Sequence, residues 1–196
     1  ILLLGMGYIA SRLYLELKDQ YELTTADIGW YNSGIDPKTL IVDYARLEPS
    51  FLRRFDTIIL TAGHSSVASC LQNGKASLLN NVVNFKFLLD KLTPEQKLIF
   101  FSSSSVYSGF GDKDATEFDE CFSSINDYDL NKLEIDRHAK LSNLEWYSVR
   151  PGTLAGYSPS CRSDIMINSM CFSAKENGFI KVYNKEVMRP ILGLND

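Results

Sequence analysis

The chain opens on Ile1-Leu2-Leu3-Leu4, passes directly into Gly5-Met6-Gly7-Tyr8-Ile9-Ala10, and then repeats apolar residues at Ile9, Leu13 and Leu17. No other stretch limits the fold as strongly. An unbroken apolar run reads as a parallel strand covered on both faces, and the residues after it recur at helical spacing. Between the two lies a G-x-G-x-x-A loop, in the order strand, glycine turn, helix that a βαβ unit requires. Glycines permit the tight turn and close backbone approach, and the small third residue lets helix pack on strand. The open N–H groups of the first helical turn favour an anion such as a pyrophosphate. Gly5, Gly7, Tyr8 and Ile9 are therefore candidates for holding a dinucleotide.

Further strands are expected in alternation with helices. Residues 22–26 read as a second strand ending at Asp27, about twenty residues past the loop, where a carboxylate accepts hydrogen bonds from an adenosine ribose. The same charge repels a 2′-phosphate. With no Arg or Lys in Ile28-Gly29-Trp30-Tyr31, NAD is favoured over NADP; the plainer alternative is a solvated acid at a strand end. Leu40-Ile41-Val42 forms a third strand ending at Asp43, which faces an adenine or sits in an exposed turn. A short helix is expected over 48–54 and a fourth strand over 56–62. That strand opens into Gly63-His64-Ser65-Ser66, which puts Ala62 and Gly63 beyond a carboxyl strand end, where open parallel sheets bind ligands. His64 reads as a loop residue ahead of a substrate contact.

Residues 76–92 carry Leu78, Val82, Phe85, Leu89 and Leu92 along one helical stripe, with more apolar residues beside it. Two apolar faces imply a core helix or a homodimer contact. Asn81 on this helix serves either a hydrogen-bond network at the site or a surface role. Lys97-Leu98-Ile99-Phe100-Phe101 is a buried strand that releases Ser102 to Ser105 and then Val106-Tyr107. A strand over 144–150 closes on Pro151-Gly152, beside the far end of a cofactor, and a helix over 165–175 and a strand over 179–183 follow. The alternation specifies an α/β fold: a doubly wound parallel sheet with helices on both faces.

Composition narrows function by exclusion. A net charge of −4 offers no basic stripe for nucleic acid, and no apolar run is long enough to span a bilayer. The first apolar run is broken by Gly5 and Gly7 and has no basic region before it, so it reads as a strand and not a signal peptide. A cytoplasmic protein is the expectation. Cys70, Cys121, Cys161 and Cys171 lack C-x-x-C spacing, so free thiols are expected and no metal site.

Chemistry is carried by Asn126-Asp127-Tyr128-Asp129-Leu130-Asn131-Lys132-Leu133-Glu134. On a helix, Tyr128 and Lys132 lie one turn apart on the same face. A phenol titrates near ~10, and a neighbouring cation stabilises its phenolate. Alone, such a pair is equally at home on any helix surface.

Taken together, Gly5-Met6-Gly7-Tyr8-Ile9-Ala10-Ser11, Asp27, Leu60-Thr61-Ala62-Gly63-His64-Ser65-Ser66-Val67, Asn81-Val82, Phe101-Ser102-Ser103-Ser104-Ser105-Val106-Tyr107, Tyr128 with Lys132, and Arg150-Pro151-Gly152 resemble the extended short-chain dehydrogenase/reductase family, the nucleotide-sugar epimerases and their relatives. The resemblance implies a Rossmann-like domain over residues 1–157, with 158–196 the start of a truncated substrate-binding lobe. It implies NAD as cofactor and a nucleotide sugar or other small molecule as substrate. Ser103, Tyr128 and Lys132 become the catalytic set: Tyr128 the acid/base, Lys132 the group that holds the nicotinamide ribose and lowers the phenol pKa, Ser103 a donor to the reacting oxygen. Tyr128, Lys132 and Pro151 also join the cofactor-binding residues. Dehydratases of the family carry an Asp-Glu pair where this chain has Ser104 and Ser105, which disfavours dehydration. Asp127 and Asp129 flank the tyrosine where relatives have small residues. A ketoreductase and a non-catalytic dinucleotide-binding scaffold are the alternatives to an epimerase.

Overall fold

The computed structural model describes residues 1–30, 36–111, 114–119 and 124–196; Tyr31 and Cys121, named above, lie outside them. The strands β1 (Leu2–Leu4), β2 (Thr24–Asp27), β3 (Leu40–Ile41), β4 (Thr57–Leu60), β5 (Lys97–Phe101) and β6 (Glu145–Val149) form one sheet in the order β3-β2-β1-β4-β5-β6. Every pairing in it is parallel. The chain leaves β1 for β2 on one side and β4 on the other, so the order reverses there. That switch point opens a crevice above the carboxyl end of β1.

Helices α1 (Tyr8–Leu17), α2 (Pro49–Leu52), α3 (Val67–Gln72), α4 (Gly74–Leu78), α5 (Asn84–Leu89), α6 (Asp127–Lys140) and α7 (Met166–Asn177) fill the connections. Successive strand residues point to opposite faces, and the core divides accordingly. Leu2, Leu4, Ile58, Leu60, Leu98 and Phe100 pack with Val82, Phe85 and Leu88 and with Ile135 and Ala139 of α6. Leu3 and Ile59 pack on the other face with Met6 and Ala10, flanked by Leu13, Tyr14 and Leu17 of α1. Both faces are covered, as the apolar strands require.

The helix expected over 76–92 differs in two ways. It starts at Gly74, preceded by the short α3, and between α4 and α5 it widens into a π-helical turn, Leu79–Val83. The extra residue in that turn rotates the stripe. Ser77 becomes fully buried while Leu78 is 48% exposed, and Leu88 turns inward beside Phe85. The second apolar face is real: Leu79 and Phe87 are exposed. π turns of this kind concentrate at functional positions.

The strand expected over 179–183 does not form. Phe179, Ile180 and Tyr183 are exposed and, among the described residues, no strand edge pairs with them; an apolar alternation needs a partner strand and a face to bury. Instead β8 (Ile191–Gly193) pairs in parallel with β7 (Thr153–Ala155) in a separate two-stranded sheet. Among the described residues no helix is long and apolar enough to cross a membrane.

Helix α6 is fastened to the sheet by Asp136, whose side chain is 3% exposed. Its carboxylate accepts from Ser102 Oγ (3.1 Å), Ser148 Oγ (2.7 Å) and Arg150 Nε (2.9 Å), and pairs with Arg150 Nη2 at 2.8 Å. Removing one partner from a buried ion pair strands the other charge, at a cost of roughly 3–5 kcal/mol. Asp136→Ala should lose about that much stability in urea denaturation. A loss below about 1 kcal/mol would mean that water already pairs Arg150.

Candidate active site

The glycine loop is fixed from both sides. Gly5 has φ +94°, and a Cβ added there would lie 2.5 Å from Ala62 N and 2.6 Å from Ala62 Cα, so only glycine lets β1 and the end of β4 approach this closely. Ala62 is the floor of that contact, and its N–H donates to Leu4 O. Asp27 Oδ2 accepts from Met6 N at 2.6 Å and Oδ1 from Gly29 N at 2.6 Å. Each carboxylate oxygen keeps further lone-pair capacity for a ribose hydroxyl. Gly7 caps α1 without a side chain, its backbone is ordinary extended (φ −76°), and no acid stands in the first turn. A Cβ there would meet no protein atom within 4 Å, so neither φ nor packing asks for glycine at this position. A phosphate drawn against the N–H groups of Tyr8 and Ile9 does ask for it, and on that ground the loop fits a dinucleotide. The Tyr8 side chain is otherwise engaged: its hydroxyl donates to Gly156 O (2.8 Å) and accepts from Asn168 Nδ2 (3.1 Å), tying α1 to the segment after β7. Asp43 caps the single 3-10 turn Tyr44–Arg46 through Ala45 N at 2.9 Å, a local turn role.

The π turn explains how two consecutive asparagines reach the loop after β4. Asn81 Oδ1 accepts from His64 N (2.8 Å) while its Nδ2 donates to His64 O (3.0 Å). Asn80 Nδ2 lies 3.5 Å from His64 Nδ1. Gly63, at φ +141°, passes so near that a Cβ would come within 2.5 Å of Asn81 Oδ1. Asn81 is thus a backbone clamp on the site's rim. Burial holds the His64 imidazole below its ordinary pKa, so it is neutral at pH 7.

The serine run divides its work. Ser102 belongs to the Asp136 cluster, and Ser104 N donates to Pro151 O at 3.0 Å, pinning the turn after β6. Ser103 caps the 3-10 helix Ser104–Phe110 and accepts from Ser105 N (3.2 Å) and Ser105 Oγ (2.9 Å). Ser103 also acts on Tyr128, drawing the phenol pKa down. Asn126 caps α6 through Asp129 N at 3.0 Å and starts the helix so that Tyr128, Lys132 and Asp136 stack at four-residue steps. Ser103, Tyr128 and Lys132 therefore converge at the carboxyl end of β5.

The electrostatics depart from expectation. Lys132 Nζ donates to Phe101 O at 2.6 Å and lies 5.8 Å from the centre of the Tyr128 ring. One of its three N–H groups goes to that carbonyl, and the phenol pKa is raised, not lowered. Burial is the main cause; Ser103 and Arg162 pull it down, while Cys70 and Asp129 push it up. Arg162, Asp136 and Asn80 carried no motif in the sequence. Arg162 reaches the site from after β7, donating to Ser65 Oγ at 2.9 Å.

Burial also lowers the Lys132 pKa to about 8, opposed by Asp136. The folded value lies below the unfolded one, near ~10.4. The burial penalty on the ammonium is thus fully present below pH 8 and is relieved as pH rises from there towards ~10. Wild-type stability relative to Lys132→Met should climb across that window in urea titrations; a difference that stays flat would mean the ammonium is solvated.

With this geometry in view, comparison with known proteins is informative. The model of the NAD dependent epimerase/dehydratase family matches residues 1–192. An NAD dependent NDP-hexosamine 5,6-dehydratase, TunA, of tunicamycin biosynthesis superposes with a TM-score of 0.86 at 22% identity, over 99% of this chain and 68% of that one. The UDP-glucuronic acid 4-epimerase of Bacillus cereus, in complex with UDP-glucuronic acid and NAD, gives 0.82 at 18% identity over 99% and 69%. MoeE5 with UDP-glucose and NAD gives 0.80 at 22% over 99% and 67%. These likenesses establish the shared fold, and the match along nearly the whole sequence establishes the lineage. The chain belongs to the NAD-dependent epimerase/dehydratase family, within the extended short-chain dehydrogenases/reductases.

Proposed function

We propose that this chain is an NAD-dependent nucleotide-sugar epimerase-like enzyme, with Tyr128 as proton carrier, Ser103 as donor to the reacting oxygen and Lys132 as the cation beside them. The observation that supports the reading is the gathering of Ser103, Tyr128 and Lys132 at the carboxyl end of β5, on the same edge of the sheet as the glycine loop. A nicotinamide dinucleotide held by the glycine loop and Asp27 would supply the hydride-accepting and hydride-donating chemistry. The rest falls to the protein. Tyr128, protonated at rest, first releases its proton to solvent; the phenolate then takes the carbinol proton and later gives it back, and Ser103 holds the same oxygen while it has carbonyl character. Lys132, beneath the ring, provides the positive potential and a donor for a ribose hydroxyl. Gly5, Gly7 and the first turn of α1 seat the pyrophosphate, Asp27 takes the adenosine ribose and favours NAD over NADP, and Pro151 flanks the nicotinamide end.

Dehydration is less well supported by these residues. Ser104 and Ser105 supply no titratable pair, and the Ser105 hydroxyl is turned back on Ser103. Incubation of the protein with NAD⁺ and a panel of nucleotide sugars should interconvert epimers, read by NMR, with no net NADH. Tyr128→Phe should bind dinucleotide normally and lose about 10²–10⁴ of the rate. Full turnover by Tyr128→Phe would end the assignment, and stoichiometric NADH would point to a ketoreductase instead.

A further inference from the structure

Trp30 and His64 lie outside every role assigned so far, yet their rings meet. The centroids are 5.1 Å apart at an interplanar angle of 71°. Trp30 follows β2 and His64 follows β4, and β1 runs between those two strands. Adjacent strands are about 4.8 Å apart, so β2 and β4 are separated by roughly 10 Å. A contact between side chains from the two flanking loops must therefore cross above the carboxyl end of β1, where the glycine loop lies.

Both sides of the crossing are built, not incidental. His64 is held by Asn81 on its backbone N and O and by Asn80 at Nδ1. If Nδ1 accepts from Asn80, the neutral ring carries its proton on Nε2 and presents a donor there. The turn that carries Trp30 is set by Asp27, whose carboxylate receives both Gly29 N and Met6 N of the glycine loop. Trp30 nevertheless remains 51% exposed. A large indole half in water, set edge to face with a held imidazole, offers ring surface to an adenosine passing over the glycine turn.

We propose that Trp30 and His64 form an aromatic clasp across the glycine loop that retains the adenosine-pyrophosphate half of a bound dinucleotide, the indole by contact with its ribose and base and the imidazole by its N–H to a phosphate. The inference rests on the dinucleotide reading above and adds the residues that govern how long the cofactor stays. Ring contacts to a nucleobase typically change occupancy by about tenfold or more.

The test is a stopped-flow chase: protein loaded with NADH is mixed with excess NAD⁺, and the decay of NADH fluorescence gives the release rate. Trp30→Ala should release NADH about tenfold faster than wild type, and Trp30→Phe should recover most of the difference, since an aromatic face is kept. His64→Ala should show a smaller acceleration in the same direction. Because Trp30 is half exposed, Trp30→Ala is expected to keep the wild-type thermal midpoint, which is checked alongside. Release from Trp30→Ala within about twofold of wild type overturns the clasp and leaves the dinucleotide reading standing. Failure of the wild type to take up NADH in equilibrium dialysis overturns both.

Discussion

One buried carboxylate sets where everything else can be. Asp136 gathers Ser102 from the end of β5, Ser148 and Arg150 from β6 and just beyond it, and its own helix into a single cluster. Its partners come from the strands on either side of α6 in sequence, β5 and β6, so the cluster fixes both the rotation and the height of α6 over the sheet. Two helical turns above it stands Tyr128, and one residue beyond Ser102 stands Ser103. Their common place at the carboxyl end of β5 follows from an anchor that touches neither. A desolvated charge is costly, and this one is kept with four polar contacts from three residues at a position where a shift of an ångström would separate the groups above it.

The same logic of distant fixing recurs on the other side of the crevice. The π turn disrupts an otherwise regular helix and exposes Leu78 and Leu79, a local loss that propensity and patterning alone would not favour. In return two adjacent asparagines face the loop after β4 and hold His64 by backbone and ring. At rest, the site keeps its phenol protonated near neutral pH. Burial outweighs the opposing pull of Ser103 and Arg162 on the phenol.

Much of the architecture was legible because it is written in short-range patterns. The apolar runs at Leu2–Leu4, Thr57–Leu60 and Lys97–Phe101 can only be buried strands, and the glycine loop after the first of them sets the sheet's switch point. The helix face shared by Tyr128 and Lys132 is a matter of counting by four. What escaped were features decided by tertiary partners. Asp136 looks like any helix acid until Arg150 and Ser148 arrive from β6. The π turn has no periodicity signal, and it moved Ser77 inward in place of Leu78. The apolar alternation over 179–183 reads as a strand, but among the described residues no strand edge pairs with it, and the pairing goes to Ile191–Gly193 instead. The direction of the Tyr128 shift was misjudged for a related reason: spacing puts the ammonium near the ring, whereas the burial that raises the phenol pKa comes from tertiary packing.

The account's central claim is that the crevice above β1 and the Ser103–Tyr128 pair are two ends of one ligand site. A crystal structure with NAD⁺ bound examines that claim most directly. The account predicts the pyrophosphate against Gly7 and the start of α1, the adenosine ribose at Asp27, and the nicotinamide ring beside the Tyr128 hydroxyl. A dinucleotide bound elsewhere, or one seated on the glycine loop with its nicotinamide directed away from Tyr128, would contradict it.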